Sequence, residues 1–255
     1  MISKEIMADK SQIEWTNATW NVFTGCDKVS PGCKNCYAER YAKRLRNMGT
    51  KKYSNGFELT FHPDVLTYPS KLKEPRMIFV NSMSDLFHES IDFKIIDSVF
   101  LMMQNANRHT YQILTKRSKR LAEFGKHFGK FPNNVWIGVS VESSIYKSRI
   151  QDLKKVQAKT HFLSLEPLLG QLGPLDLNDI EWVIAGGESG PNFRECKIEW
   201  VREIRNQCVN SRVPFFFKQW GGLTSKSGGR ILDRKIWNEF PKTVILGLNQ
   251  FVKSN

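Results

Sequence analysis

Three cysteines fall within eleven residues of one another, in the stretch Thr24-Gly-Cys-Asp-Lys-Val-Ser-Pro-Gly-Cys-Lys-Asn-Cys-Tyr-Ala-Glu39. Cys26, Cys33 and Cys36 are spaced C-x6-C-x2-C, and the whole chain holds only five cysteines. Clustering in a glycine- and proline-punctuated loop points to thiolate chemistry of three possible kinds. A [4Fe–4S] cluster usually takes four cysteines, so three leave one iron open to a small molecule. Radical S-adenosylmethionine (SAM) chemistry uses that arrangement. A structural zinc wants four protein ligands, and the fourth would be His62, His88, Cys196 or Cys208, none at a zinc-finger spacing from the trio. A disulfide with one thiol left over needs an oxidising compartment. Residues 1–10 lack the apolar core of a signal peptide, so a reducing, cytoplasmic setting is expected, where cysteine clusters read as metal or catalytic sites. Cluster ranks first, zinc second and disulfide third.

The elements that must position these groups read as repeated strand–helix units. Short β-rich runs cover Thr19–Phe23, Glu58–Phe61, Met77–Asn81, Tyr111–Leu114, Val135–Val139, His161–Ser164, Trp182–Ala185 and Pro214–Phe217. Helical patterns cover Cys36–Asn47, Asp92–Asn107, Ser118–Phe128, Ser144–Gln157 and Ile198–Ser211, with Asp92 and Ser144 as side-chain caps. The strands show little polar alternation, as parallel strands covered on both faces do. The expected fold is α/β: a single-domain TIM-like (β/α) barrel, complete or partial, with the cysteine-rich loop after its first strand. One domain would span residues 1–255, with 1–12 and 240–255 as peripheral tails.

Nearly every strand runs into polar residues at its C-terminal end, the end that forms the active face of parallel α/β folds. Asn81, Ser82, Asp85, Glu142, Glu166, Glu188 and Lys218 are therefore expected to converge around the cysteine loop. This convergence is the main sign of an enzyme. Asp85, Glu142, Glu166 and Lys218 are the catalytic candidates. Glu142 and Glu166 can bind substrate, position SAM, or pair with Lys116 or Lys218 in salt bridges that hold the barrel mouth. Gly186, Gly187, Glu188 and Ser189 form a glycine loop in which backbone N–H groups can approach a ligand and a carboxylate can receive an ammonium or ribose hydroxyl. With Asn81 and Ser82 they make up the cofactor-binding set. Cys208 reads as a core residue and Cys196 as a thiol nearer the mouth. Trp15, Trp20, Tyr37 and Trp220 flank the site, either for stacking or for packing.

Charge supplies the second signal. Thirty-eight Lys and Arg outnumber 25 Asp and Glu, a net charge of +13. The excess is concentrated in Lys34–Lys52, with Glu39 the one acid, and in Lys116–Lys130, with Glu123 the one acid. Such runs attract polyanions through phosphate contacts and counterion release, so nucleic acid is the expected partner. No apolar run reaches the ~18 residues of a membrane span, and no membrane association is expected.

Several stretches together resemble a known family, the phage-type three-Cys-motif proteins of phages and bacteria. They are Ile13-Glu-Trp-Thr-Asn-Ala-Thr-Trp-Asn-Val-Phe-Thr-Gly-Cys26, Val29-Ser-Pro-Gly-Cys-Lys-Asn-Cys-Tyr-Ala-Glu39, Leu163-Ser-Leu-Glu-Pro-Leu-Leu169, Trp182-Val-Ile-Ala-Gly-Gly-Glu-Ser-Gly-Pro191 and Phe215-Phe-Phe-Lys-Gln-Trp-Gly221. The resemblance runs in order over roughly residues 11 to 222. It implies a radical-SAM-like barrel, cluster ligation by Cys26, Cys33 and Cys36, and a genetically linked partner protein. The chain departs from the wider radical SAM pattern, C-x3-C-x2-C with an aromatic before the last cysteine. Here the first gap is six residues, Asn35 precedes Cys36, and Tyr37 follows it. The Gly-Gly-Glu motif also follows a late strand instead of an early one.

The leading expectation is thus a radical SAM iron–sulfur enzyme that generates a 5′-deoxyadenosyl radical and acts on nucleic acid, in repair or base modification. The rivals are a zinc-dependent hydrolase or nuclease using Glu142, Glu166 and Asp85, and a non-catalytic, zinc-stabilised nucleic-acid-binding protein.

Overall fold

The structure is a computed structural model and describes residue 11 and residues 13–242. The expected tails, 1–12 and 240–255, lie almost wholly outside the described residues. In chain order the elements are β1 (Ala18–Trp20), β2 (Phe23–Thr24), α1 (Tyr37–Asn47), β3 (Thr60–Phe61), α2 (Tyr68–Lys71), β4 (Met77–Val80) and α3 (Phe93–Asn105). There follow β5 (Thr110–Thr115), α4 (Ser118–Phe128), β6 (Val135–Ser140), α5 (Ser148–Leu153), β7 (Thr160–Leu165) and β8 (Trp182–Gly186). The last are α6 (Ile198–Asn210), β9 (Phe215–Gln219), β10 (Ile231–Leu232) and β11 (Lys235–Ile236).

Seven strands form one parallel sheet in the order β1-β4-β5-β6-β7-β8-β9, curled into a half-barrel. Because every pair is parallel, all seven C-terminal ends lie on one rim. The sequence suggested eight strands, and the difference lies at Glu58–Phe61. Only Thr60–Phe61 is extended there, and it pairs antiparallel with β2 outside the sheet. Pro63 follows at once and opens a short 3-10 turn; a proline has no N–H to give a central strand. The expected first strand, Thr19–Phe23, also breaks. Asn21 Oδ1 accepts from Ser82 Oγ and from the backbone N of Met83, and the chain beyond it turns off to form β2.

The two faces of the sheet carry different residues because side chains alternate along a strand. Ile78, Val80, Tyr111, Ile113, Ile137, Val139, Leu163 and Val183 join the main core with the buried stripes of the helices. Met77, Phe79, Trp136, Phe162, Trp182, Ile184 and Phe216 join a second, aromatic cluster with Trp15. Further toward the rim this second register passes through Ser140, Ser164 and Gly186 to Glu166 and its neighbours. The concave face is plugged by aromatics at its base and turns small and polar at its mouth.

Local signals explain some helix features. Asp92 caps α3 through its carboxylate, which accepts from the Lys94 N–H at 2.9 Å, worth about 1 kcal/mol. Helix α1 has Glu39 in its first turn and Arg44 and Arg46 in its last, the order its dipole favours. It buries Ala38, Ala42 and Leu45 against Tyr53 and Met83. The helix expected over Ser144–Gln157 is a 3-10 turn at Ser144–Tyr146 followed by the six-residue α5, and Ser144 caps nothing. At the far edge of the sheet, Trp237–Glu239 runs beside β9, with Phe217 N bonded to Trp237 O at 2.9 Å and Glu239 N to Phe215 O at 3.2 Å. The edge is thereby covered.

Candidate active site

The cysteine loop lies across the rim and is tied to the ends of four strands. Beyond β4, Gly25 N donates to Met83 O at 3.0 Å and Ser84 Oγ to Gly25 O at 2.6 Å. Beyond β5, Arg117 Nη1 donates to Cys26 Sγ at 3.3 Å and Nη2 to Asp27 O at 3.3 Å. Beyond β6, Gly32 lies so close to Glu142 that a Cβ there would meet its Cδ at 3.1 Å. Beyond β8, Asn35 Nδ2 donates to Glu188 Oε2 at 2.9 Å and to Asn192 O at 2.7 Å, while Arg194 Nη2 donates to Pro31 O at 3.0 Å. Tyr37, the first residue of α1, donates its hydroxyl to Ser82 O, and Arg40 Nη2 donates to Ser189 O at 2.8 Å. These bonds hold the cysteine loop over the mouth.

Each carboxylate predicted for this rim is present, but most are already engaged. Asp85 accepts from Thr115 Oγ1 at 2.7 Å, from the backbone N of Phe87 and Lys116, and from Arg117 Nη1 at 3.2 Å. It orients the guanidinium that reaches Cys26. Burial pushes the Cys26 thiol up to about 11, against Arg117, which lowers it. Glu188 is buried, which would raise its pKa. Hydrogen bonds from Arg194 and Asn35 outweigh that and hold it below the usual carboxylate range. Its observed contacts make it the anchor of the cysteine loop. Glu166 pairs with Lys218 Nζ at 3.1 Å and accepts from Ser164 Oγ at 3.2 Å, and both ends of the pair keep some exposure. Asn81 has φ 57° and accepts from Phe23 N, so with Ser82 it shapes the turn beneath the loop. Gly187 sits where a Cβ would meet Trp220 O at 1.9 Å, so only glycine allows β8 and β9 to approach so closely here.

Glu142 differs from the others. It is fully buried, and its Oε2 pairs with Arg149 Nη1 at 2.7 Å, instead of with Lys116. Its Oε1 has no partner, and this oxygen lies beside Gly32 of the cysteine loop. An unpartnered buried carboxylate oxygen costs free energy unless a ligand satisfies it. Among the described residues no three His, Cys, Asp or Glu side chains converge as ligands of one ion. Cys26, Cys33 and Cys36 are the thiolates of this rim that could ligate a cluster. Cys196 and Cys208 are buried and pushed up to about 12 by that burial. His88 pairs with Asp27 and His62 with Thr24. None of these four joins the trio in a closed zinc site.

Arg117, Arg149, Arg194 and Asn35 are site residues that sequence reading missed. Arg117 stood in the second basic run as a phosphate contact, yet it is 6% exposed and faces inward. Arg120 of the same run donates to Ile91 O and lies over Phe93. No local pattern marks such residues, because their partners lie far along the chain. Trp15 and Trp20 are core residues, whereas Tyr37 is half-exposed. Trp220 lines a cleft of about 470 Å³ with Phe193, Cys196 and Leu223 at the β8–β9 side of the rim.

A parallel α/β half-barrel with a three-cysteine loop latched over its C-terminal rim defines the class. The chain belongs to the family described as protein of unknown function (DUF5131), which matches residues 10–241. Among solved structures it is similar to spore photoproduct lyase complexed with dinucleoside spore photoproduct, at 13% identity and a TM-score of 0.43. It is also similar to a double mutant of that lyase with bound AdoMet and dinucleoside spore photoproduct, at 15% identity and a TM-score of 0.37. The first match covers 80% of this chain and 64% of the lyase, the second 78% and 62%, so the chain spans under two thirds of either. No curated protein sequence matches it. Among the described residues no helix is long and apolar enough to cross a membrane.

Proposed function

We propose that this protein is a radical SAM-type iron–sulfur enzyme acting on nucleic acid. The observation that carries the reading is the three-cysteine loop held over the mouth of a parallel half-barrel by Arg117 and by Asn35 with Glu188, beside the unpartnered Glu142 Oε1. Cys26, Cys33 and Cys36 would each hold one iron of a [4Fe–4S] cluster. When bound, the cluster and SAM supply reductive cleavage of SAM and a hydrogen-abstracting 5′-deoxyadenosyl radical.

The chain's own residues then have distinct tasks. Arg117, held by Asp85, places a fixed positive charge against the Cys26 sulfur. Glu142 offers its free Oε1 to a buried ammonium, such as the amino group of SAM. Gly186 makes room for the Glu166 carboxylate and Gly187 for the Trp220 carbonyl, so the two shape the wall of the cofactor site. Ser189, whose carbonyl is held by Arg40, continues that wall. Glu188 and Asn35 keep the loop closed over it, and Asn81 and Ser82 support the loop from below. Glu166 and Lys218, an ion pair with residual exposure, are the groups best placed to meet a substrate. Nucleic acid is favoured by the exposed bases on and around α1, and the family resemblance suggests a genetically linked partner protein.

The test is iron, sulfide and zinc content of anaerobically purified protein, with a visible spectrum. About four irons and four sulfides, a broad band near 400 nm that bleaches on reduction, and 5′-deoxyadenosine on adding SAM are expected. Cys33→Ala should lose iron and colour yet stay folded. Stoichiometric zinc with no iron, even after anaerobic reconstitution, overturns the reading in favour of hydrolysis or binding.

A further inference from the structure

Helix α1 presents a face that the cluster chemistry leaves unused. Its inner stripe is apolar and buried, but Tyr37 and Tyr41 on one flank of that stripe are each 52% exposed, although the Tyr37 hydroxyl itself is buried against Ser82 O. Two exposed aromatic rings one helical turn apart among basic side chains offer flat faces for stacking. Tyr37 adjoins Cys36, and its hydroxyl bond to Ser82 O keeps its ring at the rim. Tyr41 lies four residues on, so it sits one turn further out on the same face, about 6 Å along the axis. The acid on this helix, Glu39, is already engaged by Lys28 and Lys43. Arg44 continues the tyrosine stripe by one more step and is exposed.

We infer that the flank of α1 carrying Tyr37, Tyr41 and Arg44 is a platform for single-stranded nucleic acid, on which the two tyrosines stack unpaired bases and Arg44 contacts the backbone. This rests on the function proposed above and adds the form of its substrate. A π-face is open only on an unpaired base, so the platform discriminates against duplex, and it does so without reading sequence. The two rings lie one helical turn apart, about 6 Å along the axis, and each offers a face on which a base can stack. The direction of the stripe, ending at Tyr37 beside Cys36, leads the strand to the mouth. Charge complementarity favours a polyanion over an apolar protein partner, since the rings lie among exposed bases.

The test is fluorescence anisotropy with a labelled 20-mer as single-stranded DNA, single-stranded RNA and hairpin duplex, using the whole chain with its cluster. Wild type should bind at least one single strand more tightly than duplex. Tyr41→Ala should weaken single-strand binding roughly 5- to 100-fold, and Tyr41→Trp should restore it. Arg44→Gln should lower the slope of log K against log salt by about 1. Iron content and SAM cleavage, measured on the same samples, should not change in Tyr41→Ala. Equal affinity for single strand and duplex, or unaltered single-strand binding by Tyr41→Ala, overturns the platform and leaves the cluster reading standing. Loss of iron from the wild type overturns the cluster reading instead, and is seen separately.

Discussion

Replacing Arg117 by methionine tests whether the buried charge network beneath the cysteine loop is what holds Cys26 in place. The side chains of Arg117 and Asp85 are 3% and 10% exposed, and they meet at 3.2 Å. Removing one partner of such a pair leaves an uncompensated buried charge, at about 3–5 kcal/mol. Asp85 keeps its bonds from Thr115 Oγ1, Phe87 N and Lys116 N, which puts the expected loss near the bottom of that range. The contact to Glu89 adds little, since that carboxylate is 64% exposed. We expect Arg117→Met to cost about 3 kcal/mol in the metal-free protein, a fall in Tm of roughly 6–12 °C. Asp85→Asn removes the stranded charge, so the double variant should be less destabilised than the sum of the singles by at least about 1 kcal/mol. Urea titrations of the four proteins under reducing conditions provide the cycle. A loss below about 1 kcal/mol in Arg117→Met, or strict additivity in the cycle, refutes the reasoning.

Three further outcomes are expected. Asn35→Ala removes two of the three bonds between the cysteine loop and the β8 side, leaving that from Arg194 to Pro31 O, so iodoacetamide should label Cys33 and Cys36 of the native metal-free protein several-fold faster; an unchanged rate would show that the latch lies elsewhere. Gly187→Ala forces a methyl onto the Trp220 carbonyl, and should lower Tm by several degrees, about 1–3 kcal/mol, in a thermal melt. His62 is lowered to about 4 by burial, with the Lys52 charge adding to the effect. The unfolded chain, with its imidazole near 6.5, takes up the proton first. Stability from this group is therefore full above about pH 6.5 and is lost as pH falls toward 4, and His62→Gln should lessen that loss by about 2 kcal/mol in urea melts at both ends of the window.

The apolar runs carried most of the fold, because a parallel strand buried on both faces has to be apolar throughout. Met77–Val80, Val135–Ser140 and Trp182–Gly186 sit within a residue or two of where their side chains place them. Where the chain is extended by pairing outside the sheet, as at Thr60–Phe61, composition gives no warning. Ser144 looks like a cap, but nothing in the local sequence shows that only one and a half turns of α5 follow. The rim was legible as a set of positions, since polar residues recur after each strand. Their partners were not. Glu188 meets Asn35 across 153 residues, and Arg117 meets Cys26 across 91. Burial decides whether an arginine binds a phosphate or an aspartate, and a sequence does not display burial directly.

The latching of the cysteine loop to distant strand ends also sets an order of events during synthesis. Pro31 and Asn35 are held by Arg194 and Glu188, 163 and 153 residues later. At about 5–20 residues per second, roughly 8–30 s pass between emergence of the thiols and emergence of the groups that fix them. Throughout that interval the three cysteines are on a nascent chain with their loop unclosed, open to oxidants and to adventitious soft metals alike. Faithful loading of the site is then a race between completion of the sheet and capture of the thiols. Slowing translation downstream of β7, or growth in excess zinc, should increase the share of protein that carries the wrong metal.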